Sequence, residues 1–120
     1  MPDFSSVIAS GSTNGRNVLI VATATPGTVL HTTGTSASVQ DEIYVWAYND
    51  DTVSRLATIE FGGTTSPNDL IRATIPAQQG ALLMIPGWRI RGTGAAGLIV
   101  AAFASVASVV TMHIDVARIT

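Results

Sequence analysis

The stretch Glu42-Ile43-Tyr44-Val45-Trp46-Ala47-Tyr48 decides the fold. Successive side chains of an extended strand point to opposite faces, so Ile43, Val45 and Ala47 lie on one side and Tyr44, Trp46 and Tyr48 on the other. The β-branched and aromatic residues in it favour a pleated, packed surface. Because both sides are apolar, the strand is expected at the centre of a sheet, with its aromatic face either in the core or at a subunit contact.

The closing run from Val109 to Ile119 shows the half-buried pattern. Val110, Met112, Ile114 and Val116 are expected to face inward and Thr111, His113 and Asp115 outward. Further strand-like runs are Asn17 to Thr23, Thr28 to Thr33, Ser54 to Phe61, Leu70 to Ile75, Ala81 to Ile85, Trp88 to Arg91 and Leu98 to Phe103. Between them stand residues that turns require: Thr25-Pro26-Gly27, Asn49-Asp50-Asp51, Gly62-Gly63, Ser66-Pro67-Asn68-Asp69, Gln79-Gly80 and Pro86-Gly87. Pro76 and Pro86 are expected to close strands, since proline removes a ladder donor. These signals predict an all-β, antiparallel two-sheet sandwich, jelly-roll-like, over residues 17–120. Residues 1–16 hold many Ser, Gly and Asn and one small apolar group at Val7-Ile8, and are expected to form a flexible arm ordered only against a neighbouring chain.

From Gly92 to Ile114 no residue is charged, long enough for a membrane span. Its Gly, Ala, Ser and Thr content and its two apolar clusters, separated by Ser105-Val106-Ala107-Ser108, predict a buried β-hairpin instead. Alanine at Leu98 to Phe103 pulls locally toward helix.

The chain has 120 residues, enough to bury roughly two-thirds of the surface its unfolded form exposes. Only 12% of it is charged, against about 25% in an ordinary soluble domain, while 47% is apolar. Either the exposed surface is unusually neutral or a partner covers part of it, and cover by a partner is the expectation. With a net charge of -2 and six dispersed arginines answered by eight carboxylates, no basic patch is available for nucleic acid. Cysteine is absent, which excludes disulfides, thiolate catalysis and Cys-based metal sites. The opening Met1-Pro2-Asp3-Phe4 lacks the positive and apolar regions of a secretory signal.

The candidate catalytic groupings are thin. His113 and Asp115 share a strand face, the spacing of a base and its orienter or of two metal ligands, yet no third ligand with matching spacing stands near in sequence. Asp50-Asp51 lacks the spacing of a calcium loop. Gly92-Thr93-Gly94-Ala95-Ala96-Gly97 is formally G-x-G-x-x-G, without the βαβ context that gives such a loop its phosphate. Glu60 and Asp69 bracket the Gly62 loop as a glycosidase pair would, with no aromatic-lined groove signature beside them. No G-x-S-x-G elbow occurs. The expectation is a protein that is not an enzyme and needs no cofactor or metal.

Trp88-Arg89-Ile90-Arg91 places two guanidinium groups together on one face of a chain poor in cations. They repel unless carboxylates answer them, either within the chain at Glu60 or Asp69 or on a partner. Arg89, Arg91 and Trp88, with Phe4 of the arm, are therefore the candidate partner-binding residues.

Four segments carry a resemblance: Val29-Leu30-His31-Thr32-Thr33, Ile59-Glu60-Phe61-Gly62-Gly63-Thr64-Thr65-Ser66-Pro67, Ile85-Pro86-Gly87-Trp88-Arg89-Ile90-Arg91-Gly92-Thr93-Gly94 and Val116-Ala117-Arg118-Ile119. In these the chain resembles the small β-sandwich proteins that decorate or cement the heads of tailed bacteriophages. The resemblance implies a structural virion protein, made in the host cytoplasm and placed on the capsid surface. There it would bind the major capsid protein as a homo-oligomer, a trimer being favoured, with no membrane or nucleic-acid partner. The alternative is a head-fibre or tail-associated module that binds carbohydrate or the host surface, with Tyr44, Trp46 and Tyr48 as a stacking platform.

Overall fold

The computed structural model describes residues 3–120 and contains nine strands and no helix among them. They are β1 (Phe4–Ile8), β2 (Val18–Leu19), β3 (Thr28–Thr32), β4 (Gln40–Asn49), β5 (Arg55–Phe61), β6 (Leu70–Ile75), β7 (Leu82–Arg91), β8 (Ile99–Ala104) and β9 (Val110–Ile119). Sheet A runs β1-β9-β4-β7, with β2 also paired to β9, and sheet B runs β3-β8-β5-β6. The pairing is nested: β5 with β6, β4 with β7, β3 with β8, and both β1 and β2 with β9, alternating between the sheets and antiparallel throughout. The chain is thus an antiparallel two-sheet sandwich, as its alternation predicts.

Alternation also fills the core. Ile43, Val45 and Ala47 of β4 and Val110, Met112, Ile114 and Val116 of β9 pack in one cluster with Ala57 and Ile59 of β5 and Val100, Ala102 and Ala104 of β8. Alanine's helical preference in β8 is overridden because the strand lies between β3 and β5, where every ladder bond on both sides is available to it.

The inner face of β4 ends in polar residues, and both tie the two sheets together. At one end Asp41, buried, accepts hydrogen bonds from Arg118 Nε (2.8 Å) and Nη2 (3.0 Å) on β9 and lies 2.8 Å from His31 Nε2 on β3. At the other Asn49 donates to the carbonyls of Val53 (2.8 Å) and Ile75 (3.0 Å) and accepts from the amide of Asp51 (2.9 Å).

Three expectations are corrected. Phe4–Ile8 of the supposed arm is strand β1, in register with Asp115–Ile119 of β9, while Val7 packs on the core and Ala9 is buried in it. The Ser- and Gly-rich residues that follow are pinned as well: the Ser10 amide donates to His31 Nδ1, the Ser10 hydroxyl accepts from Thr32, and the Gly11 amide donates to the Leu30 carbonyl. Side-chain composition hid this because the segment is held by its backbone. Met1 and Pro2 of the expected arm lie outside the described residues. Secondly, Pro86 does not end a strand. It sits inside β7, where Tyr44 opposes Pro86 and Ile43 opposes Trp88, so Gly87 is the extra residue of a bulge on an edge strand that tolerates a missing donor. Thirdly, Gly92 to Ile114 is no hairpin: β8 belongs to sheet B and β9 to sheet A, so the turn at Ser105 to Ser108 is an arch between sheets. Its amides are taken by the carbonyls of Leu56 and Ile20.

Candidate functional site

The outer face of sheet A gathers most of the residues singled out above. Registers across the sheet align Phe4, Ile119, Gln40 and Arg91 in one row and Ser6, Ala117, Glu42 and Arg89 in the next. Ile8, Asp115, Tyr44 and Pro86 form a third row, and His113, Trp46 and Leu83 a fourth. Phe4 and Arg91 therefore face the same way at opposite edges, three strand spacings or roughly 14 Å apart. Trp88 does not join them. Its ring meets Phe61 of sheet B edge-on, with centroids 5.7 Å apart and planes at 90°, and so closes the open side of the sandwich.

Neither Glu60 nor Asp69 answers the two arginines. Arg89 Nε stands 3.4 Å from Glu42 Oε2 and is 57% exposed, and Arg91 is exposed at the rim. The same Glu42 accepts a 2.8 Å hydrogen bond from the Tyr44 hydroxyl, which raises the Tyr44 pKa above its ordinary value, with the Glu42 charge adding to the effect. Glu60 lies on the outer face of sheet B, where its carboxylate accepts from the Gly27 amide (2.7 Å) and the Thr25 hydroxyl. Asp69 accepts from the Thr65 amide at 3.1 Å. The two carboxylates are thus each spent on a loop rather than facing one another across a cleft.

The aromatic face of β4 lies outside the core, half-buried on sheet A's surface. Tyr44 and Trp46 stand nearly parallel, 18° between planes and 6.0 Å between centroids, and Trp46 meets the His113 ring at 6.2 Å. Gly87 makes room for this: a Cβ there would come within 2.8 Å of the Tyr44 ring. His113 is held between two oxygens, Nδ1 3.1 Å from Asn17 Oδ1 and Nε2 3.1 Å from Asp115 Oδ1. Beside it a groove of about 520 Å³ opens between the end of β1, the loop at Asn14-Gly15 and β9, lined by Ser6, Ile8, Asn14, Tyr44, His113 and Asp115.

The His31-Asp41-Arg118 grouping was illegible in the sequence because its members are ten and 77 residues apart. A backbone amide can only donate, so Ser10 fixes His31 as the Nε2–H tautomer, and that hydrogen is given to Asp41. Burial alone would raise the Asp41 pKa, but the hydrogen bonds from Arg118 and His31 and the Arg118 charge outweigh it and lower the value. Both ring nitrogens are occupied within the core, so the geometry is that of a structural clasp between sheets.

The remaining motifs are closed turns. In the Gly92 loop the amides of Ala95 and Ala96 go to Thr93 Oγ1, at 3.3 and 2.9 Å, leaving no cradle of free N–H groups for phosphate. Asp50 accepts from Tyr48 at 2.9 Å, and Asp51 holds Arg55 at 2.6 Å, whose hydrogen bond lowers the Asp51 pKa. Among the described residues no three His, Asp or Glu side chains cluster as a metal site would need, no buried side-chain polar atom lacks a partner, and no helix is long and apolar enough to cross a membrane. No family model, curated protein or solved structure matches the chain.

Proposed function

We propose that the protein is a structural component of a virion, a decoration module that binds the outside of a phage capsid and stabilises the lattice of the major capsid protein. The observation that carries this reading is the outer face of sheet B. Val29, Leu56 and Ile99, each more than 40% exposed, stand there around half-buried Phe103, with Ala101 and Thr58 buried between them. Of the ionisable groups on that face Glu60 is engaged by the Thr25-Pro26-Gly27 turn, leaving Arg72 as the exposed charge. An apolar pocket of about 260 Å³, walled by Pro26, Val29, Leu98 and Ile99, continues the face at one end. Such a surface favours lasting cover by protein over free exposure. The nested strand order supports reading the sandwich as a jelly roll, an architecture that virion proteins use, and this part of the argument is fold-level analogy.

Magnitude favours more than one copy. Four strands about 4.8 Å apart and about six residues long span at most roughly 400 Å², no more than half of the ~800 Å² per partner of a standard interface. A homo-oligomer, the trimer of the resemblance, multiplies that contact across neighbouring capsid subunits.

Leu56→Glu combined with Ile99→Glu tests the reading, since both side chains are already solvent-facing and the monomer should keep its fold. In virions grown from the genome that carries the chain, immunogold label should cover the head for wild type and vanish for the double variant. Label on tails only, absence of wild-type protein from particles, or full occupancy by the variant would each overturn the proposal.

A further inference from the structure

We infer that the groove on sheet A is a binding site for a neutral saccharide, independent of the capsid-binding face on sheet B. Its volume, about 520 Å³, falls in the range of small-ligand sites, roughly 300–1,000 Å³. One wall is the Tyr44 ring, backed by Trp46. The flat apolar patch of a pyranose packs on such a ring at little entropic cost, because the ring is already fixed by Gly87 beneath it and by the Glu42 carboxylate at its hydroxyl.

The polar groups beside that ring, one strand over on β9, suit hydroxyl groups. Asp115 is 60% exposed in its side chain, and His113 engages only Oδ1, so among the described residues Oδ2 is a free acceptor able to take a sugar O–H. Ser6 and Asn14 add groups that both donate and accept, on the far side of the groove. Asp115 and His113 stand on β9, which pairs with β1 on one side and β4 on the other, so the wall is rigid before any ligand arrives. No arginine lines the groove, which removes phosphates and carboxylates as ligands. An ammonium group competes for a ring face beside a carboxylate, and a comparison with tetramethylammonium separates it from a sugar. A ring wall, a free acceptor oxygen and mixed donors and acceptors match the alternating apolar patch and hydroxyls of an uncharged polyhydroxylated ring.

Nitrogen-15 NMR titration of the whole chain with methyl pyranosides of glucose, galactose, mannose and N-acetylglucosamine, each up to about 100 mM, tests this. At least one sugar should give saturable shifts at the Trp46 indole and at the amides from His113 to Ala117, with the Trp88 indole unmoved. Asp115→Asn should weaken that binding about tenfold or more while leaving the spectrum folded, because the side chain is solvent-facing. Absence of saturable shifts with all four sugars, shifts centred on Trp88, or undiminished binding by Asp115→Asn would overturn the inference. A stronger response to tetramethylammonium than to any of the sugars would do so too.

Discussion

Replacing Asp41 with asparagine tests the clasp between the sheets. The new carboxamide would present one oxygen and one NH₂ to two neighbours that both donate, His31 Nε2–H and the Arg118 guanidinium. His31 cannot escape by changing tautomer, because its Nδ1 is held by the Ser10 amide. One donor therefore faces another in either orientation of the carboxamide. Breaking a buried pair by removing one partner costs about 3–5 kcal/mol. The Arg118 side chain is 32% exposed, so water recovers part of its solvation and about 2–4 kcal/mol is expected. Unfolding entropy near 2.1 cal/mol/K per residue gives a 120-residue domain about 0.25 kcal/mol/K, so the melting temperature should fall by about 8–16 °C. The sign with pH is also fixed. The folded pKa of Asp41 lies below its ordinary 3.8, so its contribution is present above the unfolded value and is lost as pH falls through the folded one. Wild type should therefore lose stability below about pH 4, and Asp41→Asn should lack that component. Calorimetry from neutral to acid pH is the assay. A variant melting within about 2 °C of wild type at pH 7, with a parallel acid limb, would refute the reasoning.

Deleting Met1 to Ile8 should destabilise the isolated domain instead of merely freeing a tail, because Val7 leaves the core and the β9 edge from Asp115 to Ile119 loses its ladder; unchanged denaturant midpoints would show the strand to be dispensable. Gly87→Ala should cost about 1–3 kcal/mol, since the residue has φ 98° and its Cβ would press within 2.8 Å of Tyr44. Urea titration followed by Trp46 emission in a Trp88→Phe background reads both the loss and the ring displacement, and a neutral substitution would mean that Tyr44 does not rest on Gly87.

The legible part of this fold is its period-2 pattern. Ile43, Val45 and Ala47 face the core because alternation leaves no other choice once the strand is placed, and the β9 pattern gives the same answer from the far side. Alternation is silent where a segment is fixed by its backbone. Ser5, Ser6 and Ser10 offer no apolar side chain, yet β1 forms because the edge of β9 supplies a ladder and the Ser10 amide finds His31. It is equally silent about sheet membership. A Ser-rich turn between two apolar runs reads the same whether the runs pair with each other or cross between sheets, and only the competing partners of β8 and β9 separate the two cases.

The candidate sites follow the same division. For β4, apolar on both faces, the pattern left open whether Ile43 or Tyr44 faces the core. The choice falls to the residues beside them: Asp41 and Asn49 share the Ile43 face and find His31 and the Ile75 carbonyl only if that face meets sheet B. Were the strand turned over, Glu42 would enter the sandwich in place of Asp41, and the His31 hydrogen would lose its acceptor. The polar ends of β4 thereby set which face is inside, and in doing so they leave Tyr44 and Trp46 outside, against the groove. On that argument the aromatic surface is a product of the clasp. A protein keeping Asp41, His31 and Arg118 can vary the outward side chains of β4 without disturbing its fold.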